Sequence, residues 1–214
     1  AVRLHKQAAR HLPENDPGRG LNALFLGTLW RDAGDFAASI AYYADGIERC
    51  LAAGNLTAAM SSAYYLARIY LWQGKLRQAA DYLEAKLALA QEEGVSRLPA
   101  LALLYVGLGR IYYERNDLAA AESYLQTALK MVVRFSRLTI AGQVLLAWIN
   151  FWRGDSDTAV QTVNEAAAAI ENWDGGLDKA EVEAELVRLW LALGQETAVS
   201  QWQSRQQATT ATDA

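Results

Sequence analysis

One motif returns about every 40 residues and constrains the fold more than any other feature of this chain. It reads Leu-Gly/Ala, an aromatic residue three positions on, a Gly or Asn four further, and a small residue five after that. The copies are Leu26-Gly27-Trp30-Gly34-Ser39, Leu66-Ala67-Tyr70-Gly74-Ala79 and Leu108-Gly109-Tyr112-Asn116-Ala121. A fourth, Leu146-Ala147-Asn150-Gly154-Ala159, carries Asn150 in the aromatic place. Gly34, Gly74, Asn116, Gly154 and Gly194 follow one another at 40, 42, 38 and 40 residues. A fixed period of this length means stacked helical hairpins, and such arrays bind rather than transform.

Each of these Gly or Asn residues lies between two amphipathic runs. The run before it buries a stripe such as Leu66, Ala67 and Tyr70, whose offsets of one and four share a helical face. The run after it buries Ala121, Leu125 and Ala128 at i, i+4 and i+7. The small residue lets the two helices approach closely, and the αL turn between them favours Gly or Asn. First helices are expected at about 19–33, 55–73, 97–115, 137–153 and 178–193, and second helices at about 35–52, 75–93, 117–134, 155–172 and 195–207. Asp35, Asp117 and Asp155 suit N-caps or first turns. The repeats then occupy about 19–54, 55–94, 95–136, 137–174 and 175–207, within one domain over 1–207. Residues 2–12 read as a leading helix, broken by Leu12-Pro13-Glu14-Asn15-Asp16-Pro17. The fifth repeat departs from the rest, with Val187 in the small-residue place. The polar, low-complexity tail 208–214 is expected to be disordered.

Composition narrows the function classes. The chain is 52% hydrophobic and 21% charged, ordinary for a globular protein. Its net charge of -4, with basic residues scattered among acids, argues against direct nucleic-acid binding. No apolar run is long enough to cross a membrane, and no signal peptide is apparent. The lone Cys50 allows no internal disulfide and fits a reducing cytoplasm. A start at Ala1 suits a piece of a longer protein, or a removed initiator Met or tag.

Hairpins with Leu-Gly/Ala-x-x-aromatic in the first helix and a small residue opening the second resemble tetratricopeptide (TPR) repeats. The resemblance covers roughly residues 19–207 and implies an all-α, right-handed superhelical solenoid of about five hairpins, about 10–11 helices in all. The unit here is nearer 40 residues than the usual 34 and lacks the common terminal proline. In this it resembles the repeats of MalT-like transcriptional activators of the LuxR family. Leu12-Pro13-Glu14-Asn15-Asp16-Pro17, then Arg19-Gly20-Leu21, is similar to that group, as is the stretch from Leu108-Gly109-Arg110-Ile111-Tyr112-Tyr113 to Ala121. The resemblance implies a repeat region that receives an inducer or an inhibitory partner. It implies also an ATPase domain before that region, a DNA-binding domain after it, and self-association of the parent protein. No Walker-type phosphate loop or basic recognition helix lies within these residues.

In tetratricopeptide arrays the first helices line a concave groove. Positions 13, 10, 6, 3 and 2 before each turn residue lie about 140° round the helix from the Leu-Gly-aromatic stripe. On them fall Tyr64, Arg68 and Trp72, then Arg110 and Tyr113, then Trp148 and Trp152, and finally Arg188. Arginine recurs six before the turn in three repeats, with Trp148 between them. Such a face could stack on sugar rings or planar ligands, or grip acidic and aromatic side chains of a peptide. The same residues could equally serve as packing between neighbouring helices. A closed pocket around Arg68, Arg110 and Trp148 would suit a small inducer, and an open channel a peptide.

The other chemistry-bearing residues point to bland roles. His5 and His11, six apart with no nearby Cys, do not make a metal site. Cys50 reads as a small packing residue or an exposed bystander. Glu181, Glu183 and Glu185 fit a helix start and solvation better than paired-carboxylate catalysis. Ser61 and Ser62 have no His in their hairpin. Trp30, Trp190 and Trp202 fall on stripe positions and are expected in the core, and Trp173 is expected to close the fourth repeat. The chain is therefore expected to need no cofactor or metal and to catalyse nothing. Its expected role is to bind an inducer or a protein partner in the groove, as the regulatory part of a MalT-like activator or as a scaffold unrelated to transcription.

Overall fold

The computed structural model describes residues 2–14, 16–95, 98–132, 137–171 and 176–212. Among them the regular structure is helical throughout. The order is α1 (Val2–His11), α2 (Gly18–Asp32), α3 (Phe36–Ala52), α4 (Leu56–Trp72), α5 (Leu76–Glu92) and α6 (Leu101–Glu114). There follow α7 (Leu118–Met131), α8 (Arg137–Trp152), α9 (Ser156–Ile170), α10 (Gly176–Ala192) and α11 (Glu196–Thr212). The chain groups into two compact units, Ala1–Thr139 and Ile140–Ala214. No described helix is long and apolar enough to cross a membrane.

In the first unit three hairpins, α2/α3, α4/α5 and α6/α7, stack behind α1. Their turns need the left-handed backbone. Gly34 and Gly74 have φ of 81° and 72°, and Asn116 takes the same place at 61° because its short amide tolerates αL. Asp35 and Asp117 then open the second helices, each carboxylate accepting from the amide three residues on, at 2.9 and 3.0 Å. Asn55 does the same for α4 at 3.1 Å. Lys75 stands at the equivalent place before α5 and makes no side-chain cap.

The repeated small residues are small because of what they touch. A Cβ on Gly27 would sit 2.6 Å from the Tyr43 ring, and one on Gly109 2.6 Å from Leu125. Ser39, Ala79 and Ala121 are fully buried on the facing helices, and the Ser39 hydroxyl donates to the Gly27 carbonyl at 2.7 Å. Around them lie Tyr43, Met60, Ile69, Leu83, Leu104 and Leu108, all buried. Each such side chain contributes roughly 1.5–3 kcal/mol relative to exposure. Cys50 belongs to this core, and Gly20 is a glycine so that α2 can close on its sulfur. Burial, and Asp45 second, push the Cys50 thiol pKa up, which keeps it a neutral packing group.

The second unit repeats the pattern on α8, α9, α10 and α11. Gly154 turns at φ 83°, Asp155 caps α9 through the Thr158 amide at 3.1 Å, and Ala159, Val163, Ala166 and Ile170 are buried. Of the stripe tryptophans, Trp190 is buried and donates to Asn164 at 3.1 Å, whereas Trp30 and Trp202 are half-buried.

Two helix bounds are corrected, and α11 runs on to Thr212, with 213–214 of the expected tail outside the described residues. No Gly or Pro stops it after Gly194, and each added residue gains a backbone hydrogen bond. The third repeat's first helix begins at Leu101 rather than 97, after turn bonds from Leu101 to Leu98 and Ala102 to Pro99. Its second helix stops at Met131 rather than 134, with Val132 extended at φ -121° and ψ 142°. Trp173 lies outside the described residues.

Candidate binding surface

Helix α4 carries Tyr64, Arg68 and Trp72 at intervals of four, and so along one face. The Arg68 guanidinium lies 5.0 Å from the Trp72 ring centre, 5.6 Å from that of Tyr64 and 5.9 Å from that of Tyr65. Tyr64 and Tyr65 meet at 5.2 Å, and Trp72 leans on Phe36 of α3 at 5.8 Å. Each guanidinium–ring contact contributes about 0.5–1 kcal/mol at an exposed site and more when dry. The side chain thus presents its charge at the surface while its stem covers rings.

Two members of this cluster escaped the sequence reading. Arg31 of α2 is almost fully buried, 4.9 Å over the Tyr65 ring, with Nη2 2.8 Å and Nε 2.9 Å from the Asp32 carboxylate. Tyr65 is stacked in turn on Tyr43 of α3 at 5.8 Å, and the Tyr43 hydroxyl lies 3.1 Å from Thr28 Oγ1. The sequence carries a signal for Arg31, because it stands three before Gly34, one of the groove positions. Tyr65 has no such signal. It is nine before its turn, and only the packing of α4 on α2 and α3 reveals it.

Arg110 and Tyr113 occupy α6, both half-buried, and Arg110 Nε reaches Glu114 at 2.8 Å, an i,i+4 ion pair. The remaining expected residues belong to the second unit. Trp148 is only 7% exposed and stacks at 6.0 Å on Trp152, itself 59% exposed, with Phe151 against both. The Trp148 indole N–H and the Gln143 side-chain oxygen are buried without a hydrogen-bond partner among the described residues. Arg188 is exposed and lies 3.4 Å from Glu185. The structure therefore gathers Tyr64, Arg68 and Trp72 with Arg31 and Tyr65, and gathers Trp148 with Trp152. Arg68 and Arg110 fall in one unit, Trp148 and Arg188 in the other.

A separate cavity of about 930 Å³ opens beside the α4–α5 turn, lined by Lys75, Leu76, Arg77, Asp81, Tyr82 and Arg115 among others. It shares none of the expected groove residues. Burial, and Tyr70 second, push the Tyr82 phenol up to about 12, so it stays protonated at neutral pH.

Comparison with known proteins places this geometry. The family model described as the MalT-like TPR region matches residues 1–213. Among curated proteins none matches the sequence. Among solved structures, BtubC (BKLC) from P. vanneervenii superposes with a TM-score of 0.66 at 20% identity, over 99% of this chain and 87% of that one. The nearly identical TPR-like repeats of a kinesin light chain-type protein from Podosopora anserina give 0.58 at 18% identity, over 95% of this chain and 99% of that one. These structures share the fold, all-α tetratricopeptide-type hairpins.

Proposed function

Because this chain belongs to the MalT-like TPR region family, we propose that it is the non-catalytic regulatory segment of a cytoplasmic LuxR-family transcriptional regulator. It receives an inducer or a partner protein on the face of its first helices. One observation carries this reading: the cluster of Arg31, Tyr65, Tyr64, Arg68 and Trp72, where two guanidinium groups and three rings converge on α2 and α4. A planar or anionic group laid there meets a ring face and a fixed cation together. Arg110 and Tyr113 extend the surface along α6, and on the other unit Trp152 is exposed over buried Trp148 while Arg188 is exposed on α10. Ligand binding biases the parent protein between a resting state and a promoter-engaging oligomer. It does so only as far as the ligand's affinity differs between those states.

Isothermal titration of the chain against oligosaccharides and other small metabolites tests this. A saturable heat that Arg68→Ala abolishes supports a sensed inducer. If no small molecule binds while a protein partner is captured and released by the same substitution, the chain is an adaptor. If Arg68→Ala leaves every binding event unchanged, the surface is packing and the reading fails.

A further inference from the structure

The cavity beside the α4–α5 turn has no part in the groove, and its walls carry their own chemistry. One wall is the face of α5 that bears Gln78, Asp81, Tyr82 and Ala85, at i, i+3, i+4 and i+7. Lys75 and Arg77 line the cavity where α5 begins, and Arg115 lines it from the end of α6 in the next hairpin. Three cations therefore face one carboxylate, in a chain whose net charge is -4. Two of the three are seated on rings. Lys75 Nζ lies 5.9 Å from the centre of the Tyr70 ring, and the Arg115 guanidinium 5.4 Å from that of Tyr112. Those rings are themselves packed, Tyr70 edge-on to Tyr82 at 6.1 Å and Tyr112 stacked on Tyr124 at 5.2 Å. A ring face positions a cation without neutralising it. The volume of about 930 Å³ falls in the range of small-molecule sites, about 300–1,000 Å³.

The acids nearby are engaged elsewhere or held loosely. Asp81 stands 3.9 Å from Arg77, both side chains exposed, a surface pair that a bound anion displaces at little cost. Glu84 accepts from the Tyr112 hydroxyl at 3.2 Å, Glu114 holds Arg110 at 2.8 Å, and Asp117 accepts from the Ala120 amide at 3.0 Å. Among the described residues neither Lys75 nor Arg115 makes an ion pair. We propose that this cavity binds a phosphorylated small molecule, its phosphate held by Lys75, Arg77 and Arg115 and its body lying along Tyr82. Each guanidinium offers paired donors that match phosphate oxygens, and the ammonium adds charge without fixing one direction. The site stands apart from the surface around Arg68, with which it shares no residue.

Isothermal titration of the chain with phosphoenolpyruvate, inorganic phosphate and sulfate tests this. Phosphoenolpyruvate is expected to bind saturably, about 10-fold more tightly than sulfate or inorganic phosphate, and to weaken as salt rises. Lys75→Asp and Arg115→Gln are each expected to weaken it about 10-fold. Lys75→Asp sets at the start of α5 the residue that caps α3, α7 and α9, so the helical circular dichroism and the thermal transition are retained. Arg115 is exposed, and Arg115→Gln gives a second variant that keeps the fold. Arg68→Ala leaves this binding unchanged, so the outcome is read separately from that of the groove. No binding of phosphoenolpyruvate, or binding indifferent to both substitutions, overturns the proposal. Inorganic phosphate or sulfate binding as tightly also overturns it, since the site would then take a free anion. So does tighter binding of a short phosphoserine peptide, which would make the occupant a protein segment.

Discussion

Helices α4 and α8 open equivalent hairpins, yet the residue six before the turn differs in kind and in fate. In α4 it is Arg68, half-buried, its charge spread over three rings at the surface. In α8 it is Trp148, almost wholly buried and stacked on Trp152. The register is the same; the side chain decides whether it serves as surface or as core. A guanidinium cannot leave water without a partner for its charge, whereas an indole gains by leaving it.

The largest expected effect tests the buried side of this contrast. Trp148→Ala should cost about 3–5 kcal/mol, because it empties the space under Trp152. The urea midpoint measures this, and a shift worth under about 1 kcal/mol would make Trp148 a surface residue like Arg68.

Next in size is Gly109→Ala. Gly109 and Ala67 share the motif position after leucine, but the added methyl at Gly109 would overlap Leu125. A loss of about 1–3 kcal/mol is expected in chemical denaturation. No loss would mean that α7 can move away from the added methyl.

Arg68→Ala should cost only about 1 kcal/mol of stability, from the guanidinium–ring contacts, and leave the thermal transition cooperative. A loss near that of Trp148→Ala would erase the distinction between the two helices. The smallest effect belongs to Arg110→Ala, whose ion pair with Glu114 contributes about 0.3–0.5 kcal/mol. It should vanish in a double-mutant cycle at high salt.

Much of the fold was legible because it is local. Gly34, Gly74 and Asn116 marked turns because an αL residue is needed there, and Asp35, Asp117 and Asp155 marked helix starts because their carboxylates satisfy amides nearby in sequence. The binding surface was legible in part. Tyr64, Arg68 and Trp72 follow from spacing along one helix, and Arg31 from the same count in another repeat. Tyr65, which sits between Arg31 and Arg68, was not, because its place depends on how α4 rests on α2 and α3.

By itself, then, the sequence determined the helices, their turns and caps, and the close approach within each hairpin, since these rest on backbone geometry over a few residues. Only the tertiary structure decided which equivalent positions are core and which are surface. It set Trp148 inside and Arg68 at the rim, and closed Tyr65 over Arg31. Burial depends on what distant segments bring to a site, and a periodic motif states the position of each residue without stating its neighbours.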